Sequence, residues 1–152
     1  MQITKAKLVD LEELLNLENS TFLSDKISRK QFIYNIKKQK YFFVSKKEEC
    51  LTGYILCFEY KKVIRVYSLA VCQNHQGQGI GKKLLEYVLD NSIKNISLEV
   101  NINNSRAISL YKSVGFKISK QINYFYENGD AAYKMLLVRK QALQINNEKA
   151  EQ

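Results

Sequence analysis

Apolar residues recur at two spacings along this chain, and the switches between them lay out its elements. Residues 3–7 alternate apolar and polar, the period of a short strand. Leu11, Leu14, Leu15 and Leu17 then recur at helical spacing, and Asp10 with Glu13 makes a capping-box-like start for that helix. Residues 19–26 read as a loop carrying Phe22 and Leu23. Ser28, with Gln31 three positions on, caps a second helix over 29–38, with Phe32, Ile33 and Ile36 on one side. Residues 41–45 form a strand and 46–49 a charged turn. Two longer strands, 51–60 and 63–71, meet at Lys61-Lys62 and predict a hairpin. An amphipathic run over 80–93 predicts a third helix, and 96–100 an apolar strand. After a polar turn at 101–104, Ala107, Ile108, Leu110, Tyr111 and Val114 are spaced for a helix over 105–114, stopped by Gly115. Residues 116–122, 124–126 and 132–138 supply the last strands, with Asn128-Gly129 as a turn signal.

The order β-α-α-β-β-β-α-β-α-β-β is that of an α/β domain. The 152 residues suffice for one domain with a core, placed at 1–140, followed by a polar tail over 141–152. No apolar run approaches the ~18–20 residues of a membrane span, and the N-terminal stretch lacks a signal peptide's apolar core. A cytoplasmic protein is expected. Cys50, Cys57 and Cys72 form no CxxC pair, and His75 is the single histidine, which argues against a disulfide framework or a metal site. A nucleophile pair of Cys72 with His75 stays open. The net charge of +9 suits a polyanionic ligand or a target near nucleic acid, and equally a lysine-rich surface. The dispersed charges show no nucleic-acid-binding signature.

Chemistry concentrates between the strand ending at Val71 and the helix opening at Ile80. The loop there carries Gly77, Gly79 and Gly81 at alternate positions. Strand, glycine loop and helix together aim backbone N–H groups at an anion, at the positive end of a helix dipole. Spacing excludes a GxxxxGK[ST] nucleotide loop and a GxGxxG dinucleotide fingerprint.

The run Gln76-x-x-Gly79-x-Gly81 resembles the pyrophosphate loop of the GNAT superfamily of acetyl-CoA-dependent N-acetyltransferases. Ser97-Leu98-Glu99-Val100 is similar to the family's next strand. Asn104-x-x-Ala107-x-x-Leu110-Tyr111 is similar to its following helix, and Gly115-Phe116 to that helix's end. The form of these motifs is most similar to the branch acetylating the N-terminal alanine of ribosomal proteins. Gln73 stands where the family often has proline, and Thr21 to Ser28 where that branch carries Pro-Trp-Ser.

The resemblance implies a single-domain, mixed and mostly antiparallel central sheet flanked by helices, with a splayed strand pair at the cofactor site. It implies that acetyl-CoA is held by the backbone of Gln76, Gly77, Gln78, Gly79, Ile80, Gly81 and Lys82, by the strand edge at Leu69, Ala70 and Val71, and by Asn104. No metal is expected. Glu99, the one acid in the apolar run 96–100, becomes the base that receives the amine's proton directly or through a water, favoured by desolvation. Tyr111 becomes the acid for the departing thiolate, since a phenol of pKa ~10 can protonate a thiolate of pKa ~8.5 or above. Tyr34, Tyr124, Phe125 and Tyr126 are candidate walls of the acceptor site. The expected acceptor is a protein N-terminal α-amine, with ribosomal proteins among the candidates, attacked without a covalent enzyme intermediate, by a monomer or homodimer. A small amine, such as a polyamine or an antibiotic, and a non-catalytic acetyl-CoA-binding sensor are the alternatives.

Overall fold

The computed structural model describes residues 1–139, and the polar tail expected over 141–152 lies outside them. Along the chain come β1 (Gln2–Lys5), a single 3-10 turn (Leu8–Asp10), α1 (Leu11–Thr21) and α2 (Arg29–Lys38). Next are β2 (Phe42–Lys47), β3 (Cys50–Glu59) and β4 (Val63–Val71). A second 3-10 turn (Gln73–His75) leads to α3 (Ile80–Asp90), β5 (Asn95–Asn101), α4 (Ser105–Val114), β6 (Lys117–Ile122) and β7 (Ala132–Leu137). The strands form one sheet in the order β1-β2-β3-β4-β5-β7-β6. Every pairing is antiparallel except β4 with β5, which gives the mixed sheet that the motifs implied. Among the described residues no helix is long and apolar enough to cross a membrane.

Elements that carry their own stop signals fall where the pattern put them. Ser28 and Gln31 exchange side-chain and backbone hydrogen bonds at 3.2 and 2.8 Å, and α2 starts at Arg29. Gly115, at φ 118°, ends α4 in the left-handed region. The first helix differs. Asp10 and Glu13 do not form a capping box. The Asp10 carboxylate accepts from the Lys7 N–H, while Glu13 accepts from the Leu51 N–H at 2.8 Å. The helix also runs on to Thr21, past the loop start expected at Asn19. Residues 124–126 are no strand: Tyr124 sits at φ 55°, and the N–H groups of Phe125 and Tyr126 both donate to the Asp130 carbonyl.

Each sheet face buries one helix pair. Leu14 and Leu17 of α1 and Phe32 and Ile36 of α2 pack on Phe42, Tyr54, Leu56 and Ala70. On the other face Leu84, Leu85 and Val88 of α3 and Tyr111 of α4 pack on Ile55, Ile64, Leu98 and Met135. Between these layers the sheet opens. The β4–β5 pairing runs from Val63 opposite Asn95 to Val66 opposite Leu98, and ends there. A bulge in the β3–β4 ladder falls at the same level and leaves Tyr67 without a β3 partner. From Tyr67 to Val71, β4 keeps β3 and loses β5.

Candidate active site

The chain leaves β4 and enters α3 through Gly77 and Gly79, at φ 83° and 80°. Glycine takes this left-handed backbone at little cost. The N–H groups of Gly77, Gln78, Gly79, Ile80, Gly81 and Lys82 find no acceptor among the described residues. They stand free at the positive end of α3, an array suited to a pyrophosphate. Gly81 serves a different need. A Cβ there would stand 3.2 Å from Leu110 Cδ2, so its absence lets α4 close on α3. Gln76 departs from expectation. Its N–H closes a turn on the Gln73 carbonyl, and its side chain spans the Val71 carbonyl (3.3 Å) and Arg106 Nη1 (2.8 Å). It braces the loop and gives no N–H to it.

The open edge of β4 lies beside this loop. Ala70 is buried and Leu69 and Val71 half-buried, and on the β5 side the main chain of all three lacks a strand partner. A peptide-like pantetheine arm can add there as a strand would. Asn104 takes the N-cap of α4, its Oδ1 accepting from the Ala107 N–H at 3.1 Å.

Glu99 points away from the layer that buries Leu98 and Val100, as alternation requires. It is not a lone acid. Arg65, on β4, donates from Nε to Glu99 Oε2 at 3.0 Å, and the pair is partly buried. Arg65 also lies over the Tyr67 ring, which packs at a tilt on Phe58 with centroids 4.8 Å apart. Lys134 of β7 stands opposite Glu99 in the ladder. Tyr126 completes the cluster. Burial, then the charges of Glu99 and Asp25, push its phenol up to about 12, against the opposing effect of Arg65. Tyr111 is buried against Phe116, and burial first, then Tyr126, pushes its phenol well above the ordinary range. Both phenols therefore hold their protons throughout the physiological range.

Two loops close the mouth over Glu99. The link from α1 to α2 meets the link from β6 to β7 where Asp25 Oδ2 accepts from the Glu127 N–H at 3.4 Å. Tyr34, Tyr124 and Phe125 are exposed, and of the four candidate wall aromatics only Tyr126 reaches the charge cluster. The Cys72–His75 pair does not form as side chains. The Cys72 thiol donates to the Leu51 carbonyl at 3.4 Å, and burial pushes its pKa up, the wrong direction for a nucleophile. Among the described residues no group of three or more His, Cys, Asp or Glu is placed to hold a metal.

Reading the chain for acids alone passes over Arg65. The signal is present nonetheless: Arg65 is the single charge in the apolar strand Val63–Val71, as Glu99 is in Asn95–Asn101. Arg106 offers no such signal, because its role depends on where α4 lies relative to the loop.

Comparison with known proteins fits this geometry. The model of the acetyltransferase (GNAT) family matches residues 8–116, a span that includes the glycine loop, Glu99, Asn104 and Tyr111. An N-alpha-acetyltransferase of Sulfurisphaera tokodaii is 29% identical, with 88% of this chain and 90% of that protein covered. A putative [ribosomal protein bS18]-alanine N-acetyltransferase of Bacillus subtilis is 26% identical, with 88% and 92% covered. Arabidopsis thaliana Naa50, solved with the bisubstrate analogue CoA-Ac-MVNAL, superposes with a TM-score of 0.79 at 26% identity, over 89% of this chain and 96% of that one. The chain belongs to the acetyltransferase (GNAT) family and is an acetyl-CoA-dependent N-acetyltransferase.

Proposed function

We propose that this enzyme acetylates protein N-terminal α-amines by direct attack on acetyl-CoA. The observation that carries this reading is the Arg65–Glu99 pair at the floor of the acceptor mouth. With Arg65 on Oε2, the carboxylate has Oε1 left for an incoming amine. A guanidinium beside the reaction centre repels acceptors that stay cationic. An α-amine, with pKa ≈ 7.7–8.0, is about a fifth to a third neutral near physiological pH, whereas a lysine or polyamine nitrogen near 10.4 is only about a thousandth neutral. The N-alpha name of the Sulfurisphaera tokodaii relative supports the same acceptor.

The chemistry divides among the residues described. The free N–H groups from Gly77 to Lys82 hold the pyrophosphate, and the open edge at Leu69 to Val71 holds the pantetheine arm and polarises the thioester carbonyl. The amine nitrogen bonds to the carbonyl carbon and the C–S bond breaks. Glu99 receives the amine's proton, and Tyr111 supplies one to the departing thiolate. A ribosomal protein N-terminus is a candidate acceptor, supported by the Bacillus subtilis relative and by a net charge of +9 suited to an RNA-rich target. Three free thiols, the state a reducing compartment maintains, support a cytoplasmic place of action.

The test is thiol release from acetyl-CoA with a panel of N-terminal peptides, lysine-containing blocked peptides and polyamines. Free α-amines are expected to lead. Preference for polyamines would replace this reading with the small-amine one. Acetyl-CoA binding without thiol release for any acceptor would leave a non-catalytic sensor.

A further inference from the structure

A carboxylate that no step above uses lies buried beneath the acceptor mouth. Glu18, near the end of α1, is 1% exposed. Its Oε2 accepts the Ile27 N–H at 2.7 Å, across the loop joining α1 to α2. Its Oε1 accepts the hydroxyl of Tyr54. Tyr54 is fully buried on β3, packed on the rings of Phe32 and Phe42, and its hydroxyl also shares a hydrogen bond of 2.7 Å with Ser68 Oγ. Ser68 follows the bulge residue Tyr67, at the point where β4 parts from β5. One chain of hydrogen bonds thus runs from the acceptor loop through α1 and β3 to the open stretch of β4.

Stability alone does not account for this arrangement. Glu18 makes no ion pair among the described residues. Burying an unpaired acid is costly, and burial pushes both the Glu18 carboxyl and the Tyr54 phenol upward. Apolar side chains of similar volume fill such sites at least as stably. What the polar chain adds is direction, because hydrogen bonds fix Ile27 and Ser68 relative to one another in a way that packing does not.

The geometry points to Glu18 and Tyr54 as positioning residues that lock the acceptor loop to the part of β4 holding the acetyl group. This rests on the acetyl-transfer reading above. A change at Ser68 must then be felt at Ile27, on the other side of the core.

Ser68→Ala tests this in the full chain. It removes a hydroxyl that touches neither the acceptor loop nor Glu99, and it leaves Tyr54 bonded to Glu18. The Ile27 amide is expected to exchange its hydrogen about fivefold faster, the effect of one hydrogen bond lost along the chain. The KM for an acceptor peptide should rise by about the same factor, while that for acetyl-CoA stays within about twofold. Tyr54→Phe, which keeps the ring packing, should do more, and adding Ser68→Ala to it should do nothing further. Wild-type Ile27 exchange in both variants would overturn the proposal. So would additive effects in the double variant, or faster exchange with an unchanged acceptor KM. An enzyme that transfers acetyl to no peptide would defeat the acceptor assignment instead, and Ile27 exchange would still decide whether the link exists.

Discussion

The donor and acceptor halves proposed for this cleft offer their ligands different means of recognition. From Gly77 to Lys82 the molecule offers unpaired backbone N–H groups, and nearby side chains brace the loop, as Gln76 and Arg106 do. From Arg65 to Glu99, and from Asp25 to Tyr126, it offers charged and phenolic side chains. Backbone recognition tolerates many sequences provided the glycines stay. Side-chain recognition changes with single residues. On the proposed reading the first half holds the donor through its backbone, and the second selects the acceptor through its side chains.

Tyr111 lies where the halves meet, and its loss should have the largest effect. Tyr111→Phe keeps the packing on Phe116 and removes the acidic proton. A thiolate leaves without help more readily than an alkoxide, so kcat is expected to fall about 10²-fold, the low end for general acid catalysis, with the acetyl-CoA KM little changed. An unchanged kcat would remove Tyr111 from the chemistry. The pH profile gives a second check. A phenol whose pKa is raised by burial keeps its proton below that raised value, and its contribution is lost only as pH rises through it. The kcat of the wild type should hold level to about pH 10, the ordinary phenol value. A fall near pH 9 that disappears in Tyr111→Phe would contradict the assignment.

Arg65 tests the acceptor half by itself. Arg65→Met removes the guanidinium and keeps much of the side chain's length over Tyr67. A unit charge ~8 Å from a second cation, at an effective dielectric of ~20, contributes about 2 kcal/mol, and partial solvation reduces this to about 1. The ratio of kcat/KM for cationic acceptors to that for neutral α-amine peptides should therefore rise about fivefold, and the difference should shrink with added salt. An unchanged ratio would mean that selectivity lies elsewhere in the mouth.

Legibility in the sequence follows the same division. The donor half and its scaffold rest on local signals. Val63–Val71, Arg29–Lys38 and Ser105–Val114 occupy the residues that spacing, the Ser28 cap and Gly115 assign. The acceptor half depends on contacts between distant residues. Arg65 and Glu99 are 34 positions apart, and Glu18 and Tyr54 are 36. Their meeting follows from sheet register and helix docking, which no window of sequence contains. Residues 124–126 misled for a related reason. Their aromatic composition favours a strand, but the carbonyl of Asp130 takes two of their N–H groups and holds them in a tight loop.

The smallest expected effect discriminates most sharply between the two means of recognition. Gln76 is the residue type the motif names, yet its N–H is spent on Gln73 and its side chain on Val71 and Arg106. If the donor is held by backbone, Gln76→Ala loses a brace and no ligand. Two exposed hydrogen bonds of this kind contribute little beyond what water replaces. The loop's course is set by Gly77 and Gly79 at positive φ, and both remain. The Kd for acetyl-CoA, measured by calorimetry, should therefore rise by no more than about threefold, with kcat unaffected. A rise of tenfold or more would mean that the Gln76 side chain or the Arg106 it holds engages the cofactor's phosphates directly. The donor half would then recognise its ligand as the acceptor half does, through side chains.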